Sequence, residues 1–275
     1  MKMVKKILFG LVAVATVLSL ASCGIKKDDP EGIIKGTAGN YSVNYKYENA
    51  DTNATYRAYK PTTNKHAGGL VKITFNKDDI NKAGSSKFGV IFGLKETKDG
   101  DKNLRDFYIV GLGADGKYYV SQFKNVVDIQ AENFGATTGE TGINPKEIMI
   151  TTGGDDDNGI LNGTLYQDTE GNKYAYIWFQ AFSNGSYKIK IGNMTDAAAN
   201  TWKNLSDENK RSTEPGFSTT FYNEEITGQF TTVTVGQEPQ LYTAVYARVQ
   251  GTKTLNGKVN FKGDYLEAED IEPID

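Results

Sequence analysis

The sequence predicts an all-β, antiparallel chain, a sandwich or a barrel carrying one short helix, on three observations. Apolar residues recur with a period of two in short segments, the pattern of strands that turn one face to a core. Gly, Asn and Asp bound those segments, and these residues make tight turns at little conformational cost. Only the stretch 195–205 has helical character, opening on Thr195 as an N-cap and running through Ala197, Ala198 and Ala199. No repeat period recurs, which disfavours a propeller or solenoid.

The elements are expected in this order. Tyr41, Val43, Tyr45 and Tyr47 share a face of the first strand. In Leu70 to Phe75, Val71, Ile73 and Phe75 lie on one side with Lys72 and Thr74 opposite. Phe88, Val90, Phe92 and Leu94 fall together, while Gly89 and Gly93 flank Ile91 on the other face, predicting a strand covered on both sides. Glycines placed so within a strand accommodate a bend, a close backbone or an aromatic ring lying across them. Phe107 to Gly113 and Tyr118 to Phe123 are separated by Ala114-Asp115-Gly116-Lys117, and Asp-Gly between apolar runs is the strongest short hairpin signal. Further strands are expected over 147–151, 161–167, 173–182, 187–191, 231–235, 241–249 and 257–261.

The run Phe88-Gly-Val-Ile-Phe-Gly-Leu, followed by Phe107-Tyr-Ile-Val-Gly-Leu and then Asp115-Gly-Lys-Tyr-Tyr-Val, resembles the central strands of the concanavalin-like jelly rolls. Leu241-Tyr-Thr-Ala-Val-Tyr-Ala-Arg-Val and Leu255-Asn-Gly-Lys-Val-Asn-Phe fit its closing strands. The resemblance covers 41–262 in outline and implies a β-sandwich. That superfamily holds lectins, carbohydrate-binding modules, laminin-G-like modules and glycosidases, so it does not by itself select a function.

The N-terminus carries a separate signal. Lys2, Lys5 and Lys6 precede the apolar run Ile7 to Leu20, and Leu20-Ala21-Ser22-Cys23 follows. A basic start and a short apolar run are what a secretion channel inserts. With small residues before a thiol, the tetrad resembles the bacterial lipoprotein signal, which implies cleavage after 22 and lipidation of Cys23. Gly24 in place of Asp implies, by the enterobacterial sorting rule, the outer membrane or cell surface. The expected organisation is a signal peptide over 1–22, a lipidated polar tether over 23–39 and a single β-sandwich domain over 40–275. Cys23 is the one cysteine, so no disulfide forms within the chain. Removal of Lys2, Lys5 and Lys6 with the signal leaves 28 basic against 34 acidic residues, net −6. That balance argues against a nucleic-acid partner, which calls for a basic face.

Candidate binding residues come from alternation. Tyr174, Tyr176, Trp178 and Gln180 share one face of their strand, with Ala175, Ile177, Phe179 and Ala181 opposite; Tyr242, Tyr246 and Arg248 oppose Leu241, Val245 and Val249. Sugar rings stack on Tyr and Trp, and their hydroxyls need partners such as Gln and Arg, so the two strips would form a glycan-binding floor if they lay on one concave sheet. Buried on both faces, they would instead be core. Asp155, Asp157 and Asn158 before Gly159 offer hard oxygen ligands suited to Ca²⁺, though such a run more often makes a solvated acidic turn. Glu267-Ala-Glu-Asp-Ile-Glu272 comes near a jelly-roll glycosidase pair but reads as an acidic tail, and His66 is expected in a polar loop without an identifiable triad partner. The expected function is a lipid-anchored envelope protein whose β-sandwich binds a carbohydrate or extracellular ligand. The alternatives are an accessory lipoprotein docking another envelope protein, and a glycoside hydrolase.

Overall fold

The computed structural model describes residues 34–37, 39–47, 54–77, 86–99, 102–113, 117–126, 146–153, 165–182, 186–226, 242–251 and 255–267. Strands β1 (Ile34–Thr37), β2 (Asn40–Tyr47), β3 (Ala54–Phe75), β4 (Lys87–Asp99), β5 (Lys102–Gly113), β6 (Tyr118–Val126) and β7 (Lys146–Gly153) come first. Then follow β8 (Tyr166–Gln167), β9 (Lys173–Ala181), β10 (Tyr187–Asn193), the helices α1 (Asp196–Lys203) and α2 (Asp207–Ser212), and β11 (Thr219–Ile226), β12 (Tyr242–Gly251) and β13 (Leu255–Glu267).

Every pairing is antiparallel, and the strands form two sheets. The first runs β1-β2-β13-β3-β9-β10-β11, with β8 also on β9; the second runs β3-β12-β4-β5-β6-β7. Strand β3 belongs to both: its first half pairs with β12 and its second half with β13 and β9. The antiparallel β-sandwich expected from the sequence is the architecture present.

The core lies between the sheets, where alternation puts it. Val71, Ile73, Ile177, Phe179, Ile189, Val259 and Phe261 come from the first sheet, and Phe88, Val90, Phe92, Tyr108, Val110, Val120 and Val245 from the second, all buried. Phe92 joins the layers, stacking on Tyr108 at 5.5 Å and on Phe179 at 5.0 Å. Each such side chain contributes roughly 1.5–3 kcal/mol by leaving water. The hairpin between β5 and β6 closes on Gly113 N–H donating to the Lys117 carbonyl at 2.7 Å. Gly93 has φ +64° at a bulge in β4, and a side chain there would meet the Tyr187 ring at 3.0 Å, so an aromatic does lie across the glycine.

Three expectations need correction. The segment read as the end of the tether contains β1, which pairs with β2 and buries Ile34. A second helix, α2, follows the predicted one, with Ser206 as its N-cap. His66 lies in β3 and not in a loop. The predicted strand 231–235 lies outside the described residues.

Candidate functional site

The outer face of the first sheet is divided in two. Across β9 it is aromatic: Tyr174, Tyr176 and Trp178 point away from the inter-sheet core, where Ala175, Ile177 and Phe179 point inward. Helices α1 and α2 cover this half. Trp178 is 1 % exposed, Tyr176 1 % and Tyr174 6 %, in a cluster with Leu70, Met194, Ala199 and Trp202. The amphipathic turn of α1 brings Ala199 and Trp202 down onto the sheet, and the Trp202 indole N–H donates to the Thr213 carbonyl at 2.8 Å. Gln180 is buried as well, its amide donating to the Arg211 carbonyl at 2.6 Å at the end of α2. These four residues were expected to form an open glycan floor. They are instead a second core beneath the helices, because a short helix with an apolar face must bury that face on something and this strip is what it finds.

The other half of the expected floor lies elsewhere. Tyr246 and Arg248 are on β12 of the second sheet, on the face turned away from Val245 and Ala247, so the two strips occupy opposite sides of the sandwich. Tyr246 is buried with Ile91, Phe107, Ile109 and Phe123, and Arg248 is half-buried. Tyr242 opens β12 at a bulge, and its side chain lies outside the described residues, as do Asp155, Asp157, Asn158 and Cys23. Among the described residues no group of His, Cys, Asp or Glu is arranged to hold a metal ion.

The remaining half of the first sheet's outer face is polar and open. Here β2, β13 and β3 lie side by side, with Asn260 registered against both Ser42 and Thr74, and Lys262 against both Asn40 and Lys72. The opposite side chains, Tyr41, Val43, Val259, Phe261, Ile73 and Phe75, fill the core, which forces the polar set outward. An open groove of about 570 Å³ runs over this floor between Lys35 and Gly36 of β1 and the turn joining β8 to β9.

That turn is a rigid wall. The Asp168 carboxylate accepts from the backbone N–H of Glu170 and of Asn172, both at 2.9 Å, and from the Asn172 amide at 3.0 Å. Gly171 N–H donates to the Asp168 carbonyl at 3.0 Å, with the glycine at φ +82°. Desolvation raises the Asp168 carboxyl, but these hydrogen bonds, with the charge of Lys72, outweigh it and hold the group below its ordinary range. Asp168 is therefore an acceptor already committed to its own turn.

Lys72 marks the boundary between the two halves. Its ammonium meets both Asp196 oxygens, at 2.8 and 2.9 Å, and sits 3.8 Å from the centre of the Tyr174 ring. The Tyr176 hydroxyl donates to the same carboxylate. Burial, then this hydrogen bond, pushes the Tyr176 phenol well above its ordinary value. Desolvation raises the Asp196 carboxyl, while the bonds from Lys72 and Tyr176 and the Lys72 charge lower it more. Asp196 thus ties the N-terminus of α1 to the sheet and leaves Thr74, Asn260, Ser42 and Lys262 uncovered.

Sequence reasoning missed this groove. Its one legible trace is the polar side of Leu70 to Phe75, where Lys72 and Thr74 alternate with the core residues. Nothing in spacing joins them to Ser42 and Asn260, which come from distant parts of the chain.

No protein family matches the sequence, and no curated protein matches it. Among solved structures the chain is similar to the CBM2 module of the evolved Dit of Lactobacillus casei BL23 phage J-1, at TM-score 0.32 and 9 % identity, over 84 % of this chain and 70 % of that chain.

Proposed function

We propose that this chain is a lipid-anchored protein of a bacterial envelope, at the outer membrane or cell surface, whose β-sandwich binds carbohydrate in the groove over β2, β13 and β3. The observation that carries the reading is the groove floor itself. Ser42 and Thr74 supply hydroxyls, and Asn40 and Asn260 supply amides, on a stiff sheet beside a preformed turn. Sugar hydroxyls need such directional donors and acceptors, and a rigid frame lowers the ordering cost of binding. Asp168 and Glu170, the carboxylates lining the groove among the described residues, come from one turn, whereas glycoside hydrolysis needs carboxyls flanking the scissile bond. This favours binding over hydrolysis.

The test is a glycan array probed with the full chain in mild detergent, followed by calorimetry on a hit. The double variant Ser42→Ala, Asn260→Ala is expected to bind about tenfold more weakly, each lost hydrogen bond being worth roughly 0.5–1.5 kcal/mol. Its melting temperature should hold, since both side chains lie on the open face. A flat array would transfer the weight to the accessory, protein-docking reading.

The anchor rests on Lys2, Lys5, Lys6, the apolar run and the Leu-Ala-Ser-Cys tetrad. Cells fed radiolabelled palmitate are expected to label the chain, and Cys23→Ser is expected to abolish the label and shift the protein out of the membrane fraction. Retention of label in that variant would overturn the anchor without touching the groove.

A further inference from the structure

We infer that the groove takes a linear run of uncharged sugar units lying across the strands, successive units meeting Ser42, Asn260 and Thr74 in turn. The inference rests on the carbohydrate reading and narrows it. Register fixes the row: Ser42 on β2 stands opposite Asn260 on β13, which stands opposite Thr74 on β3. All three lie on the outer face, since Val259 and Phe261 on either side of Asn260 fill the core. Neighbouring strands are about 4.8 Å apart, so the row crosses roughly 10 Å with one polar side chain at each step. Beyond Ser42 it continues to Lys35 on β1. Beyond Thr74 it meets Tyr174, which is buried, with the Tyr166 ring edge-on against it at 6.3 Å. The row is therefore open over β2, β13 and β3 and closed at β9.

The row keeps hydrogen-bonding capacity that its charged neighbours have already used. Among the described residues the side chains of Thr74 and Asn260 make no hydrogen bond. Ser42 accepts from the Asn44 amide at 3.4 Å, which leaves its hydroxyl hydrogen to donate. Lys72, in contrast, is bonded to both Asp196 oxygens, Asp168 to its own turn, and Glu170 to the Asn172 amide at 3.2 Å. Lys35, Lys72 and Lys262 line the groove together with Asp168 and Glu170, and Asp196 holds Lys72, so three cations stand against three acids. A surface so balanced gathers neither sign of charge.

The direction follows from what lies beside the row. Along β13 the outer face reads Lys258, Asn260, Lys262, and along β3 it reads Lys72, Thr74, with steps of about 7 Å. A saccharide laid along either strand passes between ammonium and uncharged group at every step, whereas one laid across finds a hydroxyl or amide on each strand. A pyranose joined through opposite ring positions advances by about the strand spacing, which keeps successive units in step with the row. An extended peptide fits less well, because its side chains recur on one face only every 7 Å or so.

The experiment is a chain-length series. The full chain in mild detergent is titrated with cello-, manno- and xylo-oligosaccharides from monosaccharide to hexasaccharide, with oligogalacturonates of the same lengths, and with fragments of any glycan the array returns. An uncharged series is expected to gain at least tenfold in affinity from monosaccharide to trisaccharide and less than about twofold beyond tetrasaccharide. Thr74→Val removes the hydroxyl at one end of the row and is expected to make the trisaccharide bind like the disaccharide, a loss of roughly three- to tenfold. Asn260→Ala, at the centre, is expected to weaken both, and because Asn260 is exposed this variant carries the test should Thr74→Val fold poorly. Lys262→Ala, beside Asn260 on the same strand but off the row, is expected to leave the whole series within about twofold. A monosaccharide that binds as tightly as the trisaccharide overturns the inference and leaves the carbohydrate reading in place. So does an oligogalacturonate that binds more tightly than every uncharged series, or a loss in Lys262→Ala with none in Asn260→Ala. Failure of every saccharide here and on the array overturns both.

Discussion

Replacing Trp178 by Ala is expected to lower stability by roughly 3–5 kcal/mol, the usual cost of emptying a buried aromatic site. The indole is 1 % exposed and packs in the cluster that holds α1 to the sheet, with Leu70 directly across on β3. Its loss leaves a void that helices tied by Asp196, Gln180 and Trp202 cannot easily collapse to fill. In a domain of this size the melting temperature should fall by roughly 10 °C or more. Any loss of ligand binding should then track unfolding and vanish when the variant is assayed well below its melting point. A variant that melts like the parent but fails to bind would return Trp178 to the role the sequence suggested.

The second large effect is expected at Gly111. It faces Gly89 across β4 and β5, and a Cβ there would lie 2.3 Å from the Phe88 carbonyl oxygen, 2.7 Å from the Gly89 Cα and 2.6 Å from the Tyr119 hydroxyl. The first two are backbone atoms and cannot rotate aside, so Gly111→Val should cost roughly 1–3 kcal/mol or more. Gly216 is the control, with nothing within 4 Å of its Cβ position; Gly216→Ala should stay within roughly 0.5 kcal/mol. Urea melts of the two variants check the contrast. Equal midpoints would mean that β4 and β5 can separate without penalty.

Local signals were legible where local physics suffices. Phe88, Val90 and Phe92 announced an inward face by period alone, Asp115-Gly116 announced a hairpin that closes between Gly113 and Lys117, and Thr195 caps α1 by accepting from the Ala198 N–H at 3.1 Å. Where several tendencies compete, the reading fell short. The first half of β3 contains Pro61, which argues against a strand, yet Pro61 sits at an irregularity opposite Ala244 where the ladder tolerates it. Among the described residues β11 is an edge strand with Asn223, Glu224 and Glu225 exposed, so it carries almost no apolar alternation to detect. Helix α2 had only its Ser206 cap and its acidic-to-basic gradient to mark it.

The sequence by itself determined which residues share a face, because the pleat makes neighbours alternate whatever lies around them. It also holds the Leu20-Ala21-Ser22-Cys23 tetrad on which the proposed anchor rests, a pattern of contiguous residues alone. Only the tertiary structure decided which face is covered. Tyr174, Tyr176 and Trp178 are buried because α1 and α2 lie over them, and Ser42, Thr74 and Asn260 are open because no described helix lies over them. Burial depends on what a distant segment packs against, and period-two alternation holds no record of that.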